Sequence, residues 1–425
     1  MSSLNHCIKF ELDVKDENIV FKDYFYKSIK LQKHKIYEAE LIQPACPFCG
    51  SLALLHNGHL ITNIHYPTAN ASLPVIIRLA KQRVKCRACD HWSMAQSELV
   101  NKYCSISNAS KLKVLSALTE DRSMTSIASE NNVSVNTVQR VLGSCSHRFL
   151  DSYEYLPAHL AFDEFKGVDR QLHFICLDGD SHQVVQILRT RYKKTLLKYF
   201  GRFSPQARAN VKTVTMDLNF YYQDIVRACF PNAQIVIDRF HMIQMLTRSF
   251  NSLRVQVMKT FDKRSRQYQL LKSPWKLYLK KFDELEKVHP RYNWHYKDCL
   301  TQAQVVTEGI NTSTTLENSY NLMQSFIQAV ETGNTHELKS LINCQDQIGT
   351  LMHKTLLTFK HNLTAVLNGA ALPYSNGCLE GFNRKIKQIE RTAFGYSNFT
   401  NLLTRIRLEE DLYKEKEPNS LLMTA

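Results

Sequence analysis

The sequence has no apolar run near the roughly 18 residues that a membrane-spanning helix needs, so no such helix is expected. Its beginning, MSSLNHCIKFELDVKDE, lacks the apolar centre of a signal peptide. No internal repeat or low-complexity tract interrupts it. These absences predict a soluble intracellular chain with no membrane partner. Acid is also scarce: 39 Asp+Glu stand against 54 Lys+Arg, a net charge of +15. Such a surplus favours a polyanion, nucleic acid first, although ribosome-associated and membrane-surface proteins share it. What is present is ample for folded structure. With 425 residues, 44% of them hydrophobic, roughly two to four domains are expected.

Twelve cysteines in a large chain without an export signal point to metal ligands and buried thiols rather than disulfides. CPFCG supplies Cys46 and Cys49, and KCRACD supplies Cys86 and Cys89. Two Cys-x-x-Cys turns let four thiolates surround one Zn²⁺ tetrahedrally. Gly50 suits the sharp turn after the first. The stretches HLITNIHY and LPVIIRLAKQRVKC read as strands spanning the gap between them. His56, His59, His65 and His91 read as surface or hairpin residues, with His91 a reserve ligand. Arg83, Lys85 and Arg87 alternate with Val84 and Cys86, so they share one strand face. That face is either a ladder of phosphate contacts or a solvated hairpin surface.

SMTSIASENNVSVNTVQRVL resembles a DNA-binding helix-turn-helix. Ser134 can cap the second helix, with Val135, Val138, Val141 and Leu142 inward. Asn136, Thr137, Gln139 and Arg140 are then expected outside, as DNA-binding side chains facing base edges.

After Pro157 the pattern changes. HLAFDEF, QLHFICLDGD and HQVVQILRT read as three strands, followed by helix KKTLLKYFGRF, strand VKTVTMDLN, helix YYQDIVRACF and strand NAQIVIDRFH entering a long helix. Three antiparallel strands followed by alternating helices and strands is a ribonuclease-H-like order. Asp163 and Asp217 fall at the ends of the first and fourth strands, where two divalent cations roughly 4 Å apart have their oxygen ligands. Asp238 is a rival to Asp217, and with His241 it suits support of the site. Glu164 is expected on the opposite strand face from Asp163.

In the segment LPYSNGCLEGFNRKIKQIERTAFGY, Glu380, Asn383, Arg384 and Lys387 recur at one helical face. Leu379, Phe382, Ile386 and Ile389 cover the other. Glu380 is either an ordinary first-turn acid favoured by the helix dipole or a third metal ligand. The two strand-end aspartates favour the second reading. Arg384 and Lys387 are then placed to hold a DNA backbone, with Asn383 in support.

AFDEF, TMDLNFYY, FPNAQIVIDRFH and YSNGCLEGFNRKIK together resemble the transposases of the ISL-three group of bacterial insertion sequences. The resemblance spans nearly the whole chain. It implies an Asp-Asp-Glu enzyme, with catalytic and metal-binding Asp163, Asp217 and Glu380 and with Mg²⁺ (or Mn²⁺) as cofactor. It implies binding of double-stranded DNA, both the terminal inverted repeats and the target, by a homodimer or larger homo-oligomer, in the bacterial cytoplasm at the nucleoid. The expected architecture is a multidomain α+β and α/β chain. It has a lead-in at 1–42, a zinc ribbon at 43–104, a helix-turn-helix at 105–150, and a ribonuclease-H-like catalytic domain at 156–240 and 373–415. An all-α insertion at 241–372 interrupts the catalytic domain, and a tail follows at 416–425. Trp275 and Trp294 in the insertion read first as core residues, second as stacking platforms for flipped bases. Two other functions stay open: a zinc and helix-turn-helix transcription regulator without catalysis, and a metal-dependent nuclease that cuts without joining.

Overall fold

The computed structural model describes residues 3–68, 72–149, 152–344 and 347–410; the tail expected at 416–425 lies outside them. The chain forms a mixed α/β structure of two units, one built from 1–151 and 386–425, the other from 152–385.

The first unit begins with helix α1 (Ser3–Glu11) and strands β1 (Ile19–Ile29) and β2 (Gln32–Leu41). Strands β3 (Leu54–Tyr66), β4 (Val75–Cys86) and β5 (Trp92–Met94) follow. All five strands make one sheet in the order β1-β2-β4-β3, with β5 also on β4. The β2–β4 pairing is parallel, whereas β1–β2, β3–β4 and β4–β5 are antiparallel. The first 42 residues are therefore no lead-in. Ile8 and Leu12 of α1 enter the same apolar cluster as Ile19, Tyr37, Ile64 and Leu79 of the sheet. Helices α2 (Asn108–Ala117), α3 (Met124–Glu130) and α4 (Val135–Ser144) come next. Each starts at a serine (Ser107, Ser123, Ser134) whose hydroxyl accepts a backbone N–H of the first turn, satisfying a donor the helix cannot.

The second unit carries strands β6 (His159–Lys166), β7 (Leu172–Asp178) and β8 (Val184–Leu188), then helices α5 (Lys193–Phe200) and α6 (Pro205–Ala209). Strand β9 (Thr213–Met216), helix α7 (Phe220–Cys229) and strand β10 (Gln234–Ile237) complete a sheet of order β10-β9-β6-β7-β8. β6 pairs antiparallel with β7 and parallel with β9. Being central, β6 reads as apolar on both faces over Leu160, Ala161 and Phe162, all buried. The segment 239–371 holds helices α8 (Arg239–Met258) and α9 (Arg266–Lys272), a small hairpin β11 (Arg291–Asn293) and β12 (Asp298–Leu300), and helices α10 (Gln302–Ile310), α11 (Thr314–Glu331), α12 (Thr335–Ile342), α13 (Thr350–His361) and α14 (Leu363–Ala371). It has a hairpin, so it is not purely helical, and most of its apolar residues join the sheet's own core: Phe250, Phe326 and Phe359 belong to one cluster with Phe162, Phe174 and Phe200. α14 covers the sheet edge at β10, where Asn368 Nδ2 donates to Ile235 O at 2.9 Å. Gly369 allows that approach, since a Cβ there would collide with Ile237 O.

Helix α15 (Gly377–Thr392) carries the chain from the second unit back into the first, which α16 (Phe399–Glu409) completes. Leu408 packs in one cluster with Val114, Ile127, Val138 and Leu142. Buried Arg405 donates to Glu120 O and Arg122 O at 2.7 and 2.8 Å, and its charge is met by Glu409 at 2.5 Å. The end of the expected catalytic segment 373–415 thus folds with α2–α4, a long-range pairing that local pattern does not encode. Among the described residues no helix is long and apolar enough to cross a membrane.

Candidate metal centres and their surroundings

The β3–β4 hairpin sets Leu54 opposite Cys86, which brings the two Cys-x-x-Cys turns together. Each turn closes the same way: Gly50 N donates to Cys46 O at 2.9 Å, and Asp90 N to Cys86 O at 3.0 Å. Gly50 and Asp90 both take left-handed backbone angles, φ +72° and +61°. Cys46 Sγ lies 3.6 Å from Cys89 Sγ, as Cys49 Sγ does from Cys86 Sγ, and all four sulfurs fall within 4.8 Å of one another. These are not disulfide distances. Four thiolates on a tetrahedral Zn²⁺ with bonds of about 2.3 Å stand about 3.8 Å apart, so the donor set fits that ion. Backbone N–H groups of Cys89 and Ala88 pull the Cys86 thiol down to about 6, favouring the ligating form. His91 is not a fifth member; its Nδ1 faces Cys89 O at 2.9 Å and its ring stacks on Phe48.

In the second unit the last parallel pair of β6 and β9 is Ala161 with Thr215. Two residues further along each chain stand Asp163 and Asp217. Asp163 is on β6 and Asp217 is the residue just past the end of β9. Continued alternation turns both carboxylates to one side, about 5 Å being the spacing of neighbouring strands, and the charge of Asp217 is felt at Asp163. Asp163 is half-buried: Oδ1 accepts from Glu164 N at 2.7 Å and Oδ2 from Asn383 Nδ2 at 2.8 Å. Burial, aided by the charge of Asp217, lifts its carboxyl to about 6. Burial raises Asp217 too, opposed by His241, whose Nδ1 lies 3.4 Å from Asp217 Oδ2.

Asp238 spends both oxygens elsewhere. Oδ2 caps α8 at His241 N (3.1 Å), and Oδ1 accepts from Asn376 N (3.0 Å). It is a buried organiser holding His241 and Asn376 beside Asp217, and its charge helps to raise the Asp217 carboxyl. Glu164 accepts Arg191 Nη1 on both oxygens and Tyr222 OH, each at 2.8 Å. Asn376, not singled out from the sequence, donates from Nδ2 to Phe162 O at 3.2 Å and hydrogen-bonds the Asp217 carboxylate.

Glu380 stands apart from the aspartates. Its side chain is 59% exposed and held by Arg384 at 2.6 Å. Among the described residues, Asp163, Asp217 and Glu380 do not form a set with ligand atoms mutually within 4.8 Å. Yet Asn383, one turn beyond Glu380 on α15, touches Asp163, so the Glu380 face of the helix borders the pair. The buried amide oxygens of Asn376 and Asn383 have no donor. Carboxylates with amide oxygens beside them are the hard donors that suit Mg²⁺ or Mn²⁺.

A family model described as "Transposase", of the ISL-three Asp-Asp-Glu group, matches residues 160–406, more than half of the chain. The chain belongs to the ISL-three transposase family. It is 21% identical over 345 residues to the "Transposase for insertion sequence element IS1001" of Bordetella parapertussis, covering 78% of this chain and 80% of that one. It is also 30% identical over 109 residues to a Lactococcus lactis protein named "ATP-dependent protease", a match covering 26% of this chain and 35% of the other. Membership makes the protein a DNA transposase, and a transposase of this family uses a divalent metal.

Elsewhere on the transposase, α3 and α4 meet through a turn at Asn132, with φ +53°. Val138, Val141 and Leu142 are buried against Ile127 and Ala128, leaving Asn136, Gln139 and Arg140 exposed. Thr137 departs from expectation. It is buried, its hydroxyl 3.0 Å from that of Ser134 and accepting from Arg140 Nη2 at 3.2 Å. A residue three after the cap completes the first turn and is turned inward by it. Arg83 and Arg87 are exposed with buried Val84 and Cys86 between them; Arg83 lies over Trp92, and half-buried Lys85 pairs with Asp90 at 2.6 Å. Arg384 and Lys387 are exposed, while Leu379, Ile386 and Ile389 are buried and Phe382 is half-buried. Trp275 and Trp294 are not core residues: they are 39% and 71% exposed.

Proposed function

We propose that this transposase is an Asp-Asp-Glu phosphoryl-transfer enzyme that binds the inverted repeats of its element, cuts the ends and joins them to target DNA. The observation that carries the reading is the register of β6 and β9, which projects Asp163 and Asp217 to one side while Asn383 of the Glu380 helix touches Asp163. In this reading the sheet is a ribonuclease-H-like catalytic core interrupted between Asp238 and Leu372. Mg²⁺ or Mn²⁺ bound there supplies activation of the attacking oxygen and stabilises the leaving one.

The chain's own residues do the rest. Asp163, Asp217 and Glu380 hold the ions. Glu380 reaches them by leaving Arg384, an exposed pair worth no more than about 1 kcal/mol. Asp238 and Asn376 fix Asp217, and Asn383 fixes Asp163, so the oxygens are oriented before DNA arrives. His241, beside Asp217, opposes the upward push of burial on that carboxyl. Arg384, released, and Lys387 grip the phosphate backbone. No covalent protein intermediate is needed: water cuts first, then the freed 3′-hydroxyl attacks the target.

The four cysteines hold Zn²⁺ in a ribbon-like module, with Arg83, Lys85 and Arg87 contacting backbone phosphate. The pair α3–α4 serves as the helix-turn-helix, reading base edges through Asn136, Gln139 and Arg140. Paired DNA ends imply at least a homodimer. The test uses an end fragment with its inverted repeat. Wild-type protein with Mg²⁺ cleaves it and joins precleaved ends to target, whereas Asp217→Asn binds it without cleaving. Cleavage unchanged in Asp217→Asn overturns the reading, and cleavage without any joined product makes the protein a nuclease.

A further inference from the structure

His56 and His59 are three residues apart on β3, and strict alternation would send them to opposite faces of the sheet. The register shows why it does not. His56 pairs with Val84 and His59 with Gln82, so three steps along β3 answer two along β4. The extra residue is a bulge at Asn57-Gly58, where Gly58 takes φ +79°, a conformation side chains resist. The bulge restores parity and puts both imidazoles on one face, ring centroids 4.6 Å apart.

On β4's other side, Glu40 of β2 pairs with Ala80, and Ala80 and Gln82 share a face. Glu40 therefore joins the histidines across β4: its Oε1 lies 2.6 Å from His59 Nε2 and accepts from Gln82 Nε2 at 3.3 Å. One ligand atom each from Glu40, His56 and His59 falls within 4.8 Å of the others.

We infer that Glu40, His56 and His59 form a second divalent-metal site, separate from the four cysteines, that takes Zn²⁺ through two imidazoles and one carboxylate with water completing the tetrahedron. Donors on such an ion stand about 3.4 Å apart, so the Glu40–His59 contact opens by less than about 1 Å, within side-chain rotation. Lys22 already sits on the other oxygen, Oε2, at 2.5 Å. It leaves Oε1 to the ion but opposes it by charge, so this site binds more weakly than the thiolate site. Bound metal pins β2, from the first 42 residues, to β3 on the far side of β4.

The test is zinc content of the full chain after equilibration with 10-µM-scale free Zn²⁺ and gel filtration, with Co²⁺ as spectroscopic probe. Wild type should hold two ions per chain. His56→Ala, which leaves the Glu40–His59 pair intact, and Glu40→Gln should each hold one and keep the thiolate–Co²⁺ absorption band unchanged. Lys22→Ala should bind the second ion about fivefold more tightly. One ion in wild type, or two in His56→Ala, overturns the inference; the first result makes the trio an ion pair with a bystander.

Discussion

The two principal candidate metal centres are assembled by different means. The cysteine site is closed: two tight turns and one hairpin deliver four sulfurs within mutual reach. The acid site is half-built. Two aspartates are placed by adjacent strands, while Glu380, the third acid of the proposed set, stands on a helix, exposed and engaged by an arginine. A site for structure benefits from completeness, since any missing ligand weakens the fold. A site for chemistry must admit DNA before it closes, and an acid held by a weak surface pair is easily recruited.

The sharpest way to break the contrast is to remove one thiolate. Cys86→Ser should cost the thiolate-bound zinc and lower the thermal midpoint of the N-terminal unit by about 10 °C or more, given the size of structural zinc binding energies. Calorimetry with metal analysis reads both, and chelation of wild type should reproduce the drop without moving the midpoint of the second unit. Asp217→Asn should do the reverse: stability nearly unchanged, cleavage reduced about 10³-fold or more, as expected for loss of several kcal/mol of transition-state stabilisation. Gel assays of end-fragment cleavage decide it.

Asn376→Ala tests the supports. It strips a donor from Asp217 and from Phe162 O, and should lower cleavage about 10- to 100-fold through weaker Mg²⁺ affinity, which metal titration separates from misfolding.

The acid site should also respond to pH. The Asp163 carboxyl titrates at about 6, above its ordinary range near 4. The fold therefore favours its neutral form: that stabilisation is complete below about pH 4 and lost as pH rises through 6. Without metal, the midpoint of the second unit should fall from pH 4 to 7. Mg²⁺ should recover it at pH 7 but not at pH 5, and cleavage should drop up to about tenfold per unit below pH 6. Smallest of all is Arg384→Ala. Freeing Glu380 should change stability by no more than about 1 kcal/mol and tighten Mg²⁺ binding a few-fold at most, before any loss of DNA affinity is counted.

Much of this was written locally. Apart from the short α6, which was not read, the strands and helices from His159 to Met258 follow the order read from alternation and turn residues, because each is specified by its own few residues. The cysteine turns are equally local, and so is the buried stripe of α4. Other features escaped because their causes are distant or exceptional. Strand β2 joins the cysteine module by a parallel pairing across the chain, and α16 packs with α2–α4 over hundreds of intervening residues. Thr137 turned inward because a cap residue controls it. His56 and His59 are surface residues, as read, but their common face was hidden because a single bulge reverses the parity on which strand reading depends.

Sequence alone determined which chemistry was on offer: four soft sulfurs in two turns, two acids at strand ends, one acid on a basic helix, and a positive chain to meet DNA. Only the tertiary structure decided which of these donors meet. Contact between strands is set by register and by the apolar core that fixes it, so Asp163 and Asp217 are neighbours across 54 residues while Glu380, on an exposed helix face, is held off by a local ion pair.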